Sequence, residues 1–389
     1  MKLDSSKVAQ RLSDIEPFRV VQVLERARQL AATGRDIVHL EVGEPDFPTA
    51  PAIVAAAKNA LDAGATKYSS ANGISELRLA IAGYYQAEYG VEVDPARIML
   101  TPGASGALTL LAALLVDPGD NMLMTDPGYP CNRHFLRLVE GEGRLIPVDA
   151  DDGFQLSHRH IERYWDERTI GALVASPANP TGATLGRQSL QALFEAVSER
   201  DGQLLVDEIY HGFSFDDDVP TALAISENIF VINSFSKFFG LTGWRLGWLV
   251  APAWAVPHLE KLAQNLFISM STMAQHAALA CFLPETMDLL RERRDIFRQR
   301  RDYLVPALKE LGFSVPMDPH GGFYVYADIS KFSNDSQAFC LEMLEQHGVA
   351  ITPGADFGRY QANTHVRFAY TTAMERLELA IDRMKKALE

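Results

Sequence analysis

Between Arg97 and Ala251 the chain alternates short apolar runs with segments of helical pattern, and this alternation limits the fold more than any other feature. The runs are RIMLT, NMLMTD, RLIPVD, GALVAS, QLLVDE, IFVINS and RLGWLVA. Each is too short for a helix and is bounded by Gly, Pro, Asp or Asn. Runs of this kind suit strands buried on both faces, and the helical segments between them supply the crossovers of a parallel sheet. A long charged helical stretch follows, from about Ser271 to Leu311. After it come four more strand-like runs, FSVP, GGFYVYADIS, VAITPG and HVRFAY, closed by a helix from Ala373. At 389 residues the chain exceeds what one hydrophobic core usually serves. The expected fold class is α/β. A large domain over 46–285 should hold a mostly parallel central sheet flanked by helices, with a smaller α+β domain over 286–389. An N-terminal arm, 1–45, is expected to pack with the small domain.

Within the arm, Phe18, Val21, Leu24 and Leu30 mark an amphipathic helix from Pro17 to about Ala32, ended by Gly34. A strand from Asp36 to Leu40 then runs into the turn Gly43-Glu44-Pro45-Asp46, and helices are expected near Ala52–Leu61 and Ile74–Tyr89. The net charge of −14 disfavours nucleic acid or an anionic membrane as partner, although a local pocket of Arg and Lys can still hold a small anion. The three cysteines, Cys131, Cys281 and Cys340, have no CxxC or metal-ligand spacing and read as buried structural thiols. No metal site is expected. The first residues, MKLDSSKVAQRLSDIEPF, lack the apolar core of a secretion signal. No stretch approaches the ~20 apolar residues of a membrane span. A cytoplasmic protein is the expectation.

The chemistry gathers around Lys237. It sits in N-S-F-S-K-F-F-G-L-T-G-W-R-L-G-W, from Asn233, between two apolar strands and among aromatics. Burial there lowers a lysine's pKa and makes a neutral amine available as nucleophile and base; a surface loop lysine is the plain alternative. The pattern S-x-S-K followed by G-x-x-G-x-R-x-G resembles the Schiff-base lysine signature of class I/II aminotransferases, of the pyridoxal-phosphate (PLP) fold type I superfamily. Further elements of that family occur in the same order along nearly the whole chain.

The resemblance implies pyridoxal 5'-phosphate as cofactor, joined to Lys237, with Arg245, Ser234 and Ser236 at its phosphate. Asp207 ends the strand QLLV, where a buried carboxylate needs a cationic partner or a helix to cap. The family puts it at the pyridine nitrogen, and Tyr210 at the ring's phenolic oxygen. Thr101-Pro102-Gly103-Ala104-Ser105-Gly106 opens an apolar helix, whose free N–H groups suit a phosphate, so Ala104 and Ser105 are candidate contacts. Asp126-Pro127-Gly128-Tyr129-Pro130 resembles an element whose aromatic, here Tyr129, stacks on the pyridine; core packing is the alternative. Ser176 to Gly182 resembles the family's NPTG turn, with Asn179 at the same phenolic oxygen and near the substrate. Arg367, inside the strand HVRFAY, would grip the α-carboxylate of the amino acid, and a structural ion pair is its alternative. Gly43 resembles a backbone contact to that carboxylate. Tyr68 resembles a tyrosine that reaches the partner subunit's cofactor, which implies a homodimer with shared sites.

Ile15 and Phe18 are expected in the side-chain pocket, and their apolar character points to neutral, apolar or aromatic L-amino acids. The 2-oxo acid acceptor would be 2-oxoglutarate or pyruvate, in a ping-pong reaction. A C–S β-lyase of the same fold is the alternative enzyme, and a PLP-sensing regulatory module a remote one, since fold alone does not fix a reaction. His211 reads as a structural histidine and Asp216-Asp217-Asp218 as a solvated loop. Gly321-Gly322-Phe323-Tyr324 resembles a strand near the substrate, with no role for any one residue.

Overall fold

The computed structural model describes residues 8–216 and 219–389; the first seven residues of the arm, and Asp217 and Asp218 of the acidic loop, lie outside the described residues. In chain order come α1 (Arg19–Ala32), β1 (Val38–His39), α2 (Pro51–Asp62), α3 (Ser75–Tyr89), β2 (Ile98–Thr101), α4 (Gly103–Leu115) and β3 (Asn121–Asp126). Then follow α5 (Cys131–Leu138), β4 (Glu142–Pro147), α6 (His158–Tyr164), β5 (Thr169–Ala175), α7 (Arg187–Ser198), β6 (Gln203–Asp207), β7 (Phe230–Ser234) and β8 (Gly247–Val250). The remainder holds α8 (Val256–Leu266), α9 (Thr272–Leu279), α10 (Pro284–Leu311), β9 (Tyr324–Asp328), α11 (Ser336–Glu345), β10 (Val349–Ala350), β11 (Thr352–Pro353), β12 (His365–Ala369) and α12 (Met374–Leu388).

All seven apolar runs between Arg97 and Ala251 become strands of one sheet, ordered β2-β8-β7-β6-β5-β3-β4. Neighbours from β7 to β4 pair in parallel, whereas β8 pairs antiparallel with both β7 and β2. The exception has a local cause. Only a single short turn of helix, Thr242–Trp244, lies between β7 and β8, so no crossover can carry the chain back to the other end. Side chains alternate between two packed faces. Phe230 and Ile232 join the cluster of α4 and α8, while Val231 between them joins the larger core on the other face.

The C-terminal runs behave less simply. FSVP contributes one bridge, Ser314 to Asp328, rather than a strand. VAITPG divides at Ile351: β10 pairs in parallel with β1 of the arm, and β11 pairs antiparallel with β12. Pro353 has no N–H to donate and can stand only on an edge, which β11 provides in the sheet β11-β12-β9. The arm is fastened to this part of the chain by ion pairs of Asp36 with Arg376 and Arg383, and of Arg26 with Glu345. The stretch from Ser271 is two helices, the short α9 and the 28-residue α10. Cys281 and Cys340 are buried free thiols, while Cys131, at the start of α5, is only half-buried. No helix among the described residues is long and apolar enough to cross a membrane.

One glycine sets how closely α4 approaches the sheet. A Cβ on Gly247, at the start of β8, would lie 2.8 Å from the Gly103 carbonyl carbon and 3.0 Å from the Ala104 nitrogen. Those atoms are backbone and cannot swing aside. Gly247→Ala should therefore destabilise the protein by about 2 kcal/mol through overpacking, read as a lower midpoint of thermal unfolding.

Candidate active site

The parallel strands β2, β7, β6, β5 and β3 all release the chain along one edge of the sheet, and β8 enters there because it runs the other way. Ligands of open α/β sheets collect at such an edge. A cavity of about 310 Å³ lies there, walled on the far side by α1 and by strands β9 and β12. Lys237, Asp207, Tyr210, Ala104, Ser105, Tyr129, Asn179, Ser236, Arg245, Gly43, Phe18 and Arg367 all line it.

Lys237 follows β7, and its Nζ donates to the Gly43 carbonyl at 2.6 Å. It also lies 5.8 Å from the Tyr210 ring centre and 5.9 Å from that of Phe323. Burial among these groups lowers its pKa to about 8, against the opposing pull of Glu44. Asp207, at the end of β6, is 5% exposed. One of its oxygens accepts from the Ile209 N–H at 3.0 Å. Burial raises its pKa to about 7, with the Glu208 charge adding to the rise and Lys237 opposing it. No Arg, Lys or His forms a salt bridge with it among the described residues, so the site holds an acidic group that lacks a cation.

A second group of residues forms an anion cradle. The first turn of α4 follows Pro102, which supplies no side-chain cap, so its N–H groups keep their free ends toward the cavity. Arg245 adopts the left-handed conformation at φ 54° and ψ 53°, a strained choice for a residue with a side chain. Its Nη1 donates to the Thr242 carbonyl at 2.9 Å and to Ser236 Oγ at 3.5 Å. Gly103, at φ +69°, leaves room for the guanidinium, because a Cβ there would lie 2.5 Å from Nη2. Ser234 stands one layer back: fully buried, it accepts from the Ser236 N–H at 3.1 Å and pairs with Ser236 Oγ at 3.0 Å.

Across the cavity Arg367 is 2% exposed. Its Nη1 donates to Asn179 Oδ1 at 2.9 Å, and Nη2 donates to the Glu41 carbonyl. Its Nε is buried without a partner, and no carboxylate pairs with it among the described residues. A buried guanidinium in that condition favours an incoming anion. Its plane lies 4.3 Å from the Tyr324 ring centre, and the Tyr324 hydroxyl stands 2.9 Å from that of Tyr210.

Tyr324 is the main residue that nothing in the sequence marks for a role. Val20, Val21, Leu24, Val42, Leu108 and Ile209 complete the apolar wall. The apolar face of α1 closes the cavity in part, and Val21 stays 51% exposed. Phe18 meets Tyr129 edge-on at 6.2 Å. Of the residues expected at this chain's own cavity, the set-back Ser234 and Ile15 do not line it, and Tyr68 is expected at the partner subunit's site. Ile15 ends the turn of helix before Phe18 and does not line the cavity. Tyr68 is 81% exposed and stands away from it. His211 is a buried structural group, bonded to Glu208 and the Val219 carbonyl and stacked on Tyr89.

Residues 35–384 match the family described as aminotransferase class I and II. The chain is similar to a valine–pyruvate aminotransferase of Mycobacterium tuberculosis, 36% identical over 372 residues that cover 95% of this chain and 96% of the relative. An aspartate aminotransferase of Pyrococcus horikoshii is 31% identical over 385 residues, covering 98% and 97%. The crystal structure of an aminotransferase from Mycobacterium tuberculosis superposes with a TM-score of 0.94 at 35% identity, covering 98% of this chain and 99% of that one.

The raised Asp207 pKa has a measurable consequence in the ligand-free chain. Unfolded, the group titrates near 3.8; folded, near 7. Between those values the folded chain holds a proton that the unfolded chain releases, so stability falls as pH rises through the window. Asp207→Asn removes the penalty. It should stabilise the ligand-free protein on the order of 3 kcal/mol near pH 8, with a clearly smaller gain near pH 5, measured by denaturant unfolding. An equal gain at both pH values would contradict the assignment.

Proposed function

The chain belongs to the class I and II aminotransferases, enzymes that depend on pyridoxal 5'-phosphate, and from this we propose that it acts on neutral, apolar or aromatic L-amino acids. The observation that carries the choice is the cavity wall. Its cationic residues are Lys237, Arg245 and Arg367, and the space beside them is bounded by Phe18, Val20, Val21, Leu24, Val42 and Leu108. With Lys237 and Arg245 assigned to the cofactor and Arg367 to the α-carboxylate, no lining cation is left for a second carboxylate among the described residues of this chain. The names of the relatives differ on this point, one being called a valine enzyme and another an aspartate enzyme.

The residues present fit the cofactor charge for charge. The uncapped α4 turn with Ala104 and Ser105, together with Arg245 and Ser236, would hold the phosphate, with Ser234 fixing Ser236 from behind. Asp207, the buried carboxylate without a cation, would hold the pyridine N–H. Asn179 and Tyr210 would donate to the phenolic oxygen, and Tyr129 would pack on the ring. When bound, pyridoxal phosphate supplies the electron sink that lets an amino acid lose its Cα proton.

The chain's own groups do the rest. Lys237, its pKa lowered toward neutrality, would take the Cα proton as a neutral amine and deliver a proton to the carbon that is the cofactor's aldehyde carbon. Arg367 binds and orients the α-carboxylate, with the Gly43 backbone beside it. Tyr324 and the α1 wall exclude water from the apolar side. The amino group is then passed to a second substrate, 2-oxoglutarate or pyruvate, in a ping-pong order. Exposed Tyr68 supports a homodimer in which it completes the partner subunit's site. The same reading takes the enzyme as cytoplasmic.

Two tests bear on it. Lys237→Ala should lose the visible absorbance of covalently held cofactor and nearly all turnover; a persistent band would place the linkage elsewhere. A panel of valine, leucine, alanine, phenylalanine, aspartate and glutamate against both oxo acids should favour the apolar and aromatic donors, with parallel double-reciprocal lines. Aspartate as the best donor would overturn the substrate class, and release of pyruvate, ammonia and a thiol from an S-alkyl cysteine without any oxo acid would point to a β-lyase.

A further inference from the structure

The hydroxyl of Tyr324 lies where it serves two other groups of the cavity. It is 2.9 Å from the Tyr210 hydroxyl, and its ring carries the Arg367 guanidinium 4.3 Å above its centre. Tyr324 is 1% exposed. It opens β9 two residues after Gly322, which adopts the left-handed φ of +72°. Space for the hydroxyl exists only because residue 43 has no side chain: a Cβ on Gly43 would lie 1.8 Å from it. The ring is also held edge-on to Tyr210 at 5.6 Å and against Phe323 at 4.8 Å. One side chain of the small antiparallel sheet thus touches a tyrosine of the large sheet's edge and the arginine of β12.

We propose that Tyr324 is a positioning residue with two separable parts, its hydroxyl setting Tyr210 and its ring seating Arg367. The inference rests on the reading of this cavity as the cofactor and substrate site. If Tyr210 donates into the cavity, its own oxygen is left to accept, and Tyr324 is then the donor of the pair. A donor placed on that oxygen polarises the Tyr210 O–H and strengthens it, as in any hydrogen-bonded chain. The face of the ring, electron-rich, holds the guanidinium plane while Nη1 reaches Asn179. Among the described residues the charged and titratable groups around the pair are Arg367 from β12, Tyr370 just after it, Lys237 and Arg245 from the segment between β7 and β8, Asp207 from β6, Tyr129 after β3 and Glu44 from the arm. Neither Tyr324→Phe nor Tyr324→Leu adds or removes a formal charge among them.

The two parts are told apart by two substitutions in the cofactor-loaded enzyme. Tyr324→Phe keeps the ring and removes the hydroxyl. The pH midpoint of the bound cofactor's absorbance should move upward, because a weaker Tyr210 donor stabilises the anionic phenolic oxygen less. Turnover, kcat, should fall about fivefold, the worth of one neutral hydrogen bond, with KM for the amino donor unchanged. Tyr324→Leu removes the ring as well and should also raise that KM about tenfold, since Arg367 loses the surface beneath it. A midpoint that stays put in Tyr324→Phe overturns the hydroxyl's role, and an unchanged KM in Tyr324→Leu overturns the ring's. Both results count against Tyr324 only where Lys237→Ala has lost the absorbance band; if that variant keeps the band, it is the reading of the cavity that fails.

Discussion

The cavity depends on one topological constraint: several strands must leave the sheet at the same edge. Parallel pairing from β7 through β6 and β5 to β3 aligns four exits, and β2 adds a fifth across the antiparallel β8. Each exit then needs no more than four residues to bring a polar group to a common point. Asp207, Tyr210, Asn179, Tyr129, Ser236 and Lys237 all lie within a few residues of a strand end. The reversed β8 is part of the design, since it delivers Arg245 at its entry rather than at its exit, opposite the open turn of α4.

Such an edge is also costly to hold together without its ligand. Asp207 and Lys237 are both driven toward their neutral forms by burial, the carboxyl upward and the ammonium downward. Arg367 keeps a buried N–H without a partner, and Arg245 adopts a strained backbone. These penalties sit on residues within one cavity, whereas the middles of the strands behind them, such as Leu204 to Val206 and Phe230 to Ile232, are apolar. Conflicts between local preference and global fold are expected to gather where binding can relieve them.

What was legible in the sequence follows from the same geometry. Residues that a strand end carries into the cavity are marked by their neighbours: Lys237 by the apolar runs around it, Asp207 by the strand it terminates, Ala104 and Ser105 by the helix they open. Arg367 was visible as a charge inside an apolar strand. Tyr324 was not, because its meaning lies in Tyr210, Gly43 and Arg367, all distant in sequence and joined to it only by packing. The apolar stripe of α1 was legible as a stripe, but core-facing and cavity-facing stripes have the same period. Ile15, expected beside Phe18 in the side-chain pocket, ends the helical turn ahead of α1 and does not line the cavity. The division of VAITPG between two sheets was hidden for another reason, since a continuous run gives no sign of where its pairing partner changes. Tyr68 stands exposed in the single chain.

Asn179 has an implication for how the two sides of the cavity communicate. Its oxygen accepts from Arg367 of β12, while the residue itself belongs to the turn after β5. A side-chain amide is planar, so committing the oxygen decides the direction of both N–H bonds on the other end. The amide therefore acts as a pointer geared to the opposite wall. The bond thus joins the turn after β5 to β12 across the cavity through side chains alone.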